Sequence, residues 1–234
     1  MSNKTYLIAG GSSGIGLELV KKLSAAGNQV VVLSRNSDSL ARLSNVSFLP
    51  KNILTDDLAE GELPDMLDGV AYCPGSINLK PFRSLKPDAF LEDFQINVLG
   101  AVKVLQASQK AMKNAGKASV VLFSTVAVGQ GMPFHTSIAA AKGAVEGLAR
   151  SLAAEWAPTI RVNCIAPSLT DTPLAARLLN SDDKKEAAGV RHPLKRVGTA
   201  AEVASLAYFL LSESAAWMTG QVIGLDGGMS SLKV

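Results

Sequence analysis

Three glycines, Gly10, Gly14 and Gly16, separate an apolar segment that ends at Ala9 from a segment with helical periodicity. This order predicts a buried strand, a tight turn and the N-terminus of a helix. Glycines in the turn permit positive φ and let the backbone approach a ligand closely. The helix N-terminus adds unpaired N–H groups and a positive dipole end, which suit a phosphate. The spacing is wider than Gly-x-Gly-x-x-Gly, but the physics is the same. We therefore predict a dinucleotide site, with a glycine-rich turn without a ligand as the alternative.

Short β-branched segments alternate with helical segments along the chain. The predicted strands are Thr5–Gly10, Gln29–Ser34, Val46–Leu49, Gly69–Cys73, Ala118–Ser124, Ile160–Ala166 and Gln221–Leu225. The predicted helices are Gly14–Ala26, Pro87–Asn114, about Thr136–Ala157 and Ala200–Ser212. Such alternation requires right-handed crossovers and a parallel sheet covered on both faces. We predict an α/β doubly wound parallel sheet (Rossmann fold) of about seven strands, in a single domain over residues 1–234.

The alternation loosens in the segment 167–197. Pro167, Pro173 and Pro193 interrupt it, and residues 181–186 are polar. A long connection after a late strand leaves the carboxyl edge of the sheet, where a lid over a substrate is expected. We predict a substrate lid here, and an ordinary surface excursion is the alternative.

Composition narrows the class of protein. A hydrophobic content of 47% with 18% charged residues indicates a compact chain with much buried surface. A net charge of +3 is too small to argue for nucleic acid, and no apolar run approaches the roughly 20 residues of a membrane helix. The first residues run directly into a strand, so we expect no signal peptide and a cytoplasmic location. Cys73 and Cys164 lie in apolar runs and are predicted to be buried free thiols, and no metal site is predicted.

Five segments in order resemble the short-chain dehydrogenase/reductase family over nearly the whole chain. They are Ala9–Gly16, similar to its Thr-Gly-x-x-x-Gly-x-Gly turn with Ala for Thr, then Phe94–Gly100, Ser119–Thr125, Arg161–Pro167 and Gly220–Gly228. The resemblance implies a nicotinamide-dependent oxidoreductase. It also implies a homodimer or homotetramer, because family members commonly pair their two long helices.

The segment that resembles the catalytic pair of the family departs from its pattern. The family has Tyr-x-x-x-Lys, and this chain has Ile138-Ala-Ala-Ala-Lys142. A spacing of four places both residues on one helical face. In the family the tyrosine protonates the alkoxide left by hydride transfer, while the lysine lowers the pKa of the phenol and places the ribose. Isoleucine has no proton to give, so we predict a degenerate catalytic site.

Other residues are assigned to the site by the same resemblance. Asn97 would hold a water beside Lys142. Counting back from Ile138 by the usual spacing of the family lands on Thr125, whose hydroxyl could orient a carbonyl. His135, seven residues before Lys142, has a spacing similar to the Tyr-x6-Lys of the enoyl-reductase branch, and a histidine titrates near neutrality. A surface histidine at a helix start is the alternative.

The end of the second predicted strand bears on cofactor choice. NAD sites put an acid there for the ribose 2′-OH, whereas this chain has Arg35, whose planar fork suits a 2′-phosphate. We therefore predict NADP over NAD, with a solvent-facing arginine as the alternative. The predicted cofactor contacts are Gly10, Ser12, Ser13, Gly14, Ile15, Gly16, Ser34, Arg35, Asn52, Gly75, Lys142 and Pro167.

These residues predict an NADP-dependent oxidoreductase that reduces a small carbonyl or enoyl compound, with Lys142, Asn97 and Thr125 acting through water. An enoyl-type reductase would explain the missing tyrosine without loss, because carbon protonation of an enolate need not use the phenol. The alternative from another class is a catalytically silent NADP-binding protein, as a sensor or a subunit of a hetero-oligomer.

Overall fold

The computed structural model describes residues 4–59 and 61–233. The strands are β1 Thr5–Ala9, β2 Gln29–Ser34, β3 Val46–Pro50, β4 Gly69–Tyr72, β5 Ala118–Phe123, β6 Ile160–Pro167, β7 Thr170–Asp171, β8 Gly198–Thr199 and β9 Val222–Leu225. The α-helices are α1 Gly14–Ala25, α2 Pro87–Phe94, α3 Gly100–Asn114, α4 Ala127–Gln130, α5 Thr136–Trp156, α6 Asp182–Val190 and α7 Ala200–Leu211. Short 3-10 helices cover Asp38–Leu40, Phe82–Ser84, Pro173–Leu178 and Glu213–Ala215.

Seven strands form one parallel sheet in the order β3-β2-β1-β4-β5-β6-β9. The predicted doubly wound sheet is therefore confirmed. The strand order reverses direction at β1, and Ala9 pairs with both Leu33 and Tyr72, so three strands end at one edge. Ligands of such sheets bind in the crevice beyond the carboxyl ends of the strands at this switch point.

Apolar side chains on the two faces of the sheet build two cores. One face packs against α3 and α5, with Val104 and Val145 among the buried residues. The other face packs against α1 and α7, through residues such as Leu19 and Leu210. Burial on both faces is why the central strands are almost continuously apolar rather than alternating.

The predicted helix over Pro87–Asn114 is divided by a π-helical turn at Gln95–Leu99. The wider turn frees the carbonyl of Ile96, and the Tyr72 hydroxyl donates to it across 2.6 Å. A Cβ on Gly100 would overlap that hydroxyl, so glycine is required where the turn meets α3. The turn buries the side chain of Asn97.

The segment 167–197 has more regular structure than its sequence indicates. β7 pairs in parallel with β8, which gives a separate two-stranded sheet. The polar residues 181–186 begin α6, because the Ser181 hydroxyl accepts from the N–H of Lys184 and caps that helix.

Over residues 4–59 and 61–233, no helix is both long and apolar enough to cross a membrane.

Candidate active site

The glycine turn holds the backbone in the shape expected of an anion site. Gly10 and Gly14 have φ values of 74° and 53°, and a Cβ on Gly16 would overlap the Gly10 carbonyl. Ser13 is the N-cap of α1 but its side chain makes no capping bond, and the first turn carries no acidic residue. The N–H groups at this helix end are therefore left for a ligand. Ser12 and Ile15 are half-buried in the same turn.

The end of β2 presents one buried and one exposed side chain. Ser34 is buried, and its hydroxyl donates to the Asn36 carbonyl across 2.8 Å. Arg35 is exposed and has no hydrogen-bond or ion-pair partner within the described chain. Asn52, after β3, accepts from the N–H of Leu54 at 3.2 Å, and its carbonyl oxygen keeps a second lone pair.

Lys142 is buried in α5 beneath the end of β5. Its Nζ donates to the Phe123 carbonyl across 2.8 Å. Burial lowers the pKa of Lys142 to about 8, against the opposing effects of Cys164, Cys73 and Asp93. Lys142 therefore loses its proton at a lower pH than an exposed lysine does.

Asn97 and Lys142 meet behind Gly75. Asn97 Nδ2 donates to the Asp93 carbonyl at 2.7 Å and to Ser76 Oγ at 2.9 Å. Asn97 Oδ1 is buried without a partner among the described residues. The position of a Cβ on Gly75 lies 3.2 Å from this oxygen and 3.4 Å from Lys142 Nζ. An acceptor and a donor therefore face a small gap that a side chain on Gly75 would fill, as a bound water or hydroxyl requires.

A cavity of about 480 Å³ opens beside these residues, and the predicted catalytic side chains Thr125, Ile138 and Lys142 line it. Gly75 lines the cavity, whereas Asn97 does not and lies behind Gly75. The Ser124 hydroxyl donates to Glu146 across 2.7 Å, which leaves Thr125 as the freer hydroxyl of the two.

Residues of the 167–197 segment also line the cavity. The wall includes Pro167, Leu169, Leu174, Leu178 and Ala187. These named residues are apolar, whereas Ser168, Thr170, Thr172, Arg191 and His192 of the same segment add polar groups. No aspartate or glutamate of the described chain lines the cavity. The lid role remains a prediction, but the placement of the segment agrees with it.

Both histidines of the chain line this cavity. His135 is half-buried, and its Nδ1 lies 2.8 Å from the Pro133 carbonyl. His192 is 1% exposed, and its Nε2 lies 2.8 Å from Ser168 Oγ. Sequence reasoning missed Ser168 and His192, and the only available signal was that Ser168 directly follows Pro167.

Two other side chains near the cavity have structural settings. Tyr72 is buried and its hydroxyl donates to the Ile96 carbonyl, so it presents no proton to the cavity. Cys73 is free and lines the cavity, where burial raises the pKa of its thiol to about 12. Cys164 is also free and fully buried, as predicted, whereas Cys73 is only half-buried.

Comparisons with known proteins agree over the length of the chain. A family model described as enoyl-(acyl carrier protein) reductase matches residues 9–230. A tropinone reductase homolog of Arabidopsis thaliana is 32% identical over an alignment of 244 positions, which covers 96% of this chain and 92% of the relative. The 3-oxoacyl-[acyl-carrier-protein] reductase MabA of Mycobacterium tuberculosis is 31% identical, with coverage of 97% and 93%. The solved structure of a short-chain type dehydrogenase/reductase from Mycobacterium ulcerans superposes with a TM-score of 0.86 at 32% identity, covering 97% of this chain and 90% of that one.

Proposed function

Because this chain belongs to the short-chain dehydrogenase/reductase family, we propose that it is an NADP-dependent oxidoreductase that reduces a small carbonyl or enoyl compound without the tyrosine of the family. The observation that carries the proposal is the convergence of Asn97 Oδ1 and Lys142 Nζ behind Gly75, at the wall of a cavity that also holds Thr125. Ile138 occupies the tyrosine position in this interpretation.

The residues at the switch point fit a dinucleotide. The free N–H groups of the first turn of α1 suit a pyrophosphate, and the missing side chain of Gly16 keeps the turn tight. Arg35 has an unengaged guanidinium for a 2′-phosphate, which supports NADP over NAD. Asn52 can accept from an adenine amino group. When bound, NADPH supplies a hydride to the electrophilic carbon of the substrate.

The residues beside the cavity bind the ribose and a water, orient the substrate and leave its protonation to another donor. Lys142 would place the ribose, and Asn97 would hold a water beside Lys142 in the gap behind Gly75. The Thr125 hydroxyl donates to the substrate oxygen and orients it. Ile138 donates nothing, and loss of a positioned general acid lowers a rate by roughly 10²–10⁴-fold. Reduction therefore proceeds through other proton donors, of which the water on Lys142 is one.

The lining of the cavity limits the substrate class. The wall from the 167–197 segment is mostly apolar, and carboxylates are missing from the described lining. A cationic substrate would lose its hydration without gaining a counter-charge. We therefore infer an uncharged or anionic substrate with an apolar body, rather than an amine.

The proposed quaternary state is a homodimer or homotetramer. α2 packs against α5, and Leu91 and Leu99 beside it are 60% and 51% exposed. Along α5 the exposed residues include the small side chains Ala140, Gly147 and Ser151, which permit close approach of a partner helix. A cytoplasmic location stays a prediction, with which the free thiols are consistent.

The test combines cofactor binding with turnover. Calorimetry should show NADPH binding, and NADPH oxidation should be detected with at least one class among apolar ketones, 3-oxoacyl thioesters and enoyl thioesters. The Lys142→Met variant is expected to lose most of that turnover. Tight NADPH binding without turnover on any panel member would instead favour the silent NADP-binding protein.

A further inference from the structure

Ser168 and His192 form a hydrogen-bonded pair in the lining of the cavity that Ile138 also lines. Ser168 Oγ lies 2.8 Å from His192 Nε2, and His192 Nδ1 lies 3.0 Å from the Ala188 carbonyl oxygen. A carbonyl oxygen only accepts, so Nδ1 carries a proton and donates it. In the neutral ring Nε2 is then an acceptor, and the Ser168 hydroxyl donates to it.

The same contacts also suit the protonated ring. An imidazolium keeps its Nδ1–H on Ala188, and its Nε2–H donates to Ser168 Oγ. The Ser168 proton is then free to point at another acceptor in the cavity. The pair therefore accommodates both states of the imidazole with only a reversal of one hydrogen bond.

A carboxylate lies in the turn that packs beside His192. The Cβ position of Gly227, in the turn after β9, lies 3.6 Å from His192 Cβ, and Asp226 precedes it. Burial raises the pKa of Asp226, but hydrogen bonds from Ser230 and Gly228 and the nearby His192 outweigh it and leave the pKa below its ordinary value. Asp226 is thus an ionised carboxylate in the turn beside His192.

We propose that Ser168 and His192 supply the proton that Ile138 cannot, with Ser168 as the residue that contacts the substrate and His192 as the positioning residue behind it. The proposal rests on the proposed function. Both side chains line the same cavity as Thr125 and Ile138, so a substrate bound there is within the space that both pairs border. Pro167, a predicted cofactor contact, directly precedes Ser168.

The proton step balances without a further reactant. Hydride addition forms a C–H bond and leaves the electron pair of the carbonyl on oxygen as an alkoxide. The Ser168 proton moves to that oxygen while the Nε2 proton of His192 moves to Ser168 Oγ. The alcohol leaves, and neutral His192 takes a proton from solvent. For an enoyl substrate the same proton goes to the α-carbon of the enolate.

Other proton carriers in the cavity lack this arrangement. Lys142 Nζ is engaged by the Phe123 carbonyl at 2.8 Å, and in the proposed function it acts through a water. His135 has its Nδ1 on the Pro133 carbonyl, and its Nε2 has no hydroxyl partner among the described residues. Of the two histidines, only His192 has both a tautomer fixed by a backbone carbonyl and a described hydroxyl partner, Ser168, that lines the cavity.

The experiment compares single variants on the best substrate found for the wild type. Ser168→Ala removes the hydroxyl, Ser168→Thr keeps it, and His192→Asn removes Nε2. We expect kcat to fall at least 10²-fold in S168A and H192N, with KM and NADPH affinity by calorimetry little changed, and S168T to keep most of kcat. Imidazole should rescue His192→Gly, whereas pyrazole, of similar shape but too weak a base to carry the proton, should not. NMR of the ring nitrogens should show His192 protonated on Nδ1 and shifted at Nε2 in S168A.

The outcomes separate this proposal from the proposed function. Wild-type turnover that S168A and H192N retain would overturn the proton pair and leave the reductase standing. Loss of turnover in His135→Asn but not in H192N would transfer the role to His135 and overturn it as well. Equal rescue by imidazole and pyrazole would show a purely structural histidine. Absence of wild-type NADPH binding would overturn both proposals together.

Discussion

Ile138 precedes Lys142 by one turn of α5, and both side chains reach the same cavity. A tyrosine at position 138 would place a phenol within reach of the lysine, whose positive charge lowers the pKa of a nearby phenol. We expect Ile138→Tyr to raise kcat/KM for ketones by about 10²-fold or more, equivalent to about 2.7 kcal/mol of barrier.

Ile138→Phe is the matched control for that variant, because it adds the same ring without the hydroxyl. Steady-state kinetics on one ketone panel should show the gain in I138Y alone. Ile138 is 5% exposed, so the ring must turn into the cavity, and thermal unfolding checks that both variants fold. A folded, NADPH-binding I138Y that gains nothing would show that the missing phenol does not limit turnover.

Arg35 should set the preference between the two nicotinamide cofactors. Its guanidinium is exposed and unengaged within the described chain, so a 2′-phosphate would gain a charge-assisted contact of about 1.5–3 kcal/mol. We expect Arg35→Ala to weaken NADPH binding roughly tenfold or more and to leave NADH binding unchanged. Calorimetry on R35A and on Arg83→Ala, a distant exposed arginine, tests this. Equal wild-type affinity for NADPH and NADH would contradict the assignment.

Gly16 should tolerate no side chain. A Cβ there would overlap the Gly10 carbonyl, so Gly16→Ala must open the turn at a cost of about 1–3 kcal/mol. We expect lower thermal stability and loss of measurable NADPH binding in G16A. Gly129→Ala is the control, because an added Cβ there meets no atom of the described chain within 4 Å. Normal NADPH binding by G16A would mean that the turn does not hold the pyrophosphate.

Lys142 should make stability depend on pH in the alkaline range. Burial lowers its pKa from 10.5 to about 8, so the folded chain binds fewer protons than the unfolded chain between these values. The free energy of unfolding therefore rises with pH between about 8 and 10.5, by roughly 3 kcal/mol at most, and the contribution of this group is constant below about pH 8, where both states are protonated. Denaturant titrations should show a flatter pH profile in Lys142→Met but not in exposed Lys113→Met.

The small exposed side chains of α5 should lie in a subunit interface. Gly147→Arg places a long charged side chain among them and is expected to convert the assembly to monomers. Sedimentation measures this directly. A wild-type mass near 24.4 kDa at micromolar concentration would contradict the proposed oligomer.

The sheet and its order of elements could be predicted because each strand and helix carries its own periodic pattern. The break in the helix Pro87–Asn114 could not, since a π turn changes the register by one residue without a distinct local signal. Two-residue strands such as β7 and β8 are too short to show a period of two. Thr170–Asp171 and Gly198–Thr199 pair only because the tertiary fold brings them together.

The site residues also fall into two groups, those with a local sequence signal and those without one. Asn97, Thr125 and Lys142 belong to local segments whose spacing carries a signature, and the structure brings Asn97 and Lys142 together behind Gly75. Ser168 and His192 are separated by 24 residues and are joined only by the folding of the 167–197 segment. A contact between distant residues has no spacing to be detected in one sequence.

At the π turn Gln95–Leu99, the number of residues is constrained more strictly than their identity. A π turn accommodates one extra residue in the helix, so removal of any one residue here would close the turn into an ordinary α-helix and change the exposure of the Ile96 carbonyl that accepts from Tyr72. Leu99 is half-exposed and open to exchange. Deletion of one residue beside it would displace Asn97 from Lys142. In this turn a deletion is therefore expected to be more damaging than a substitution.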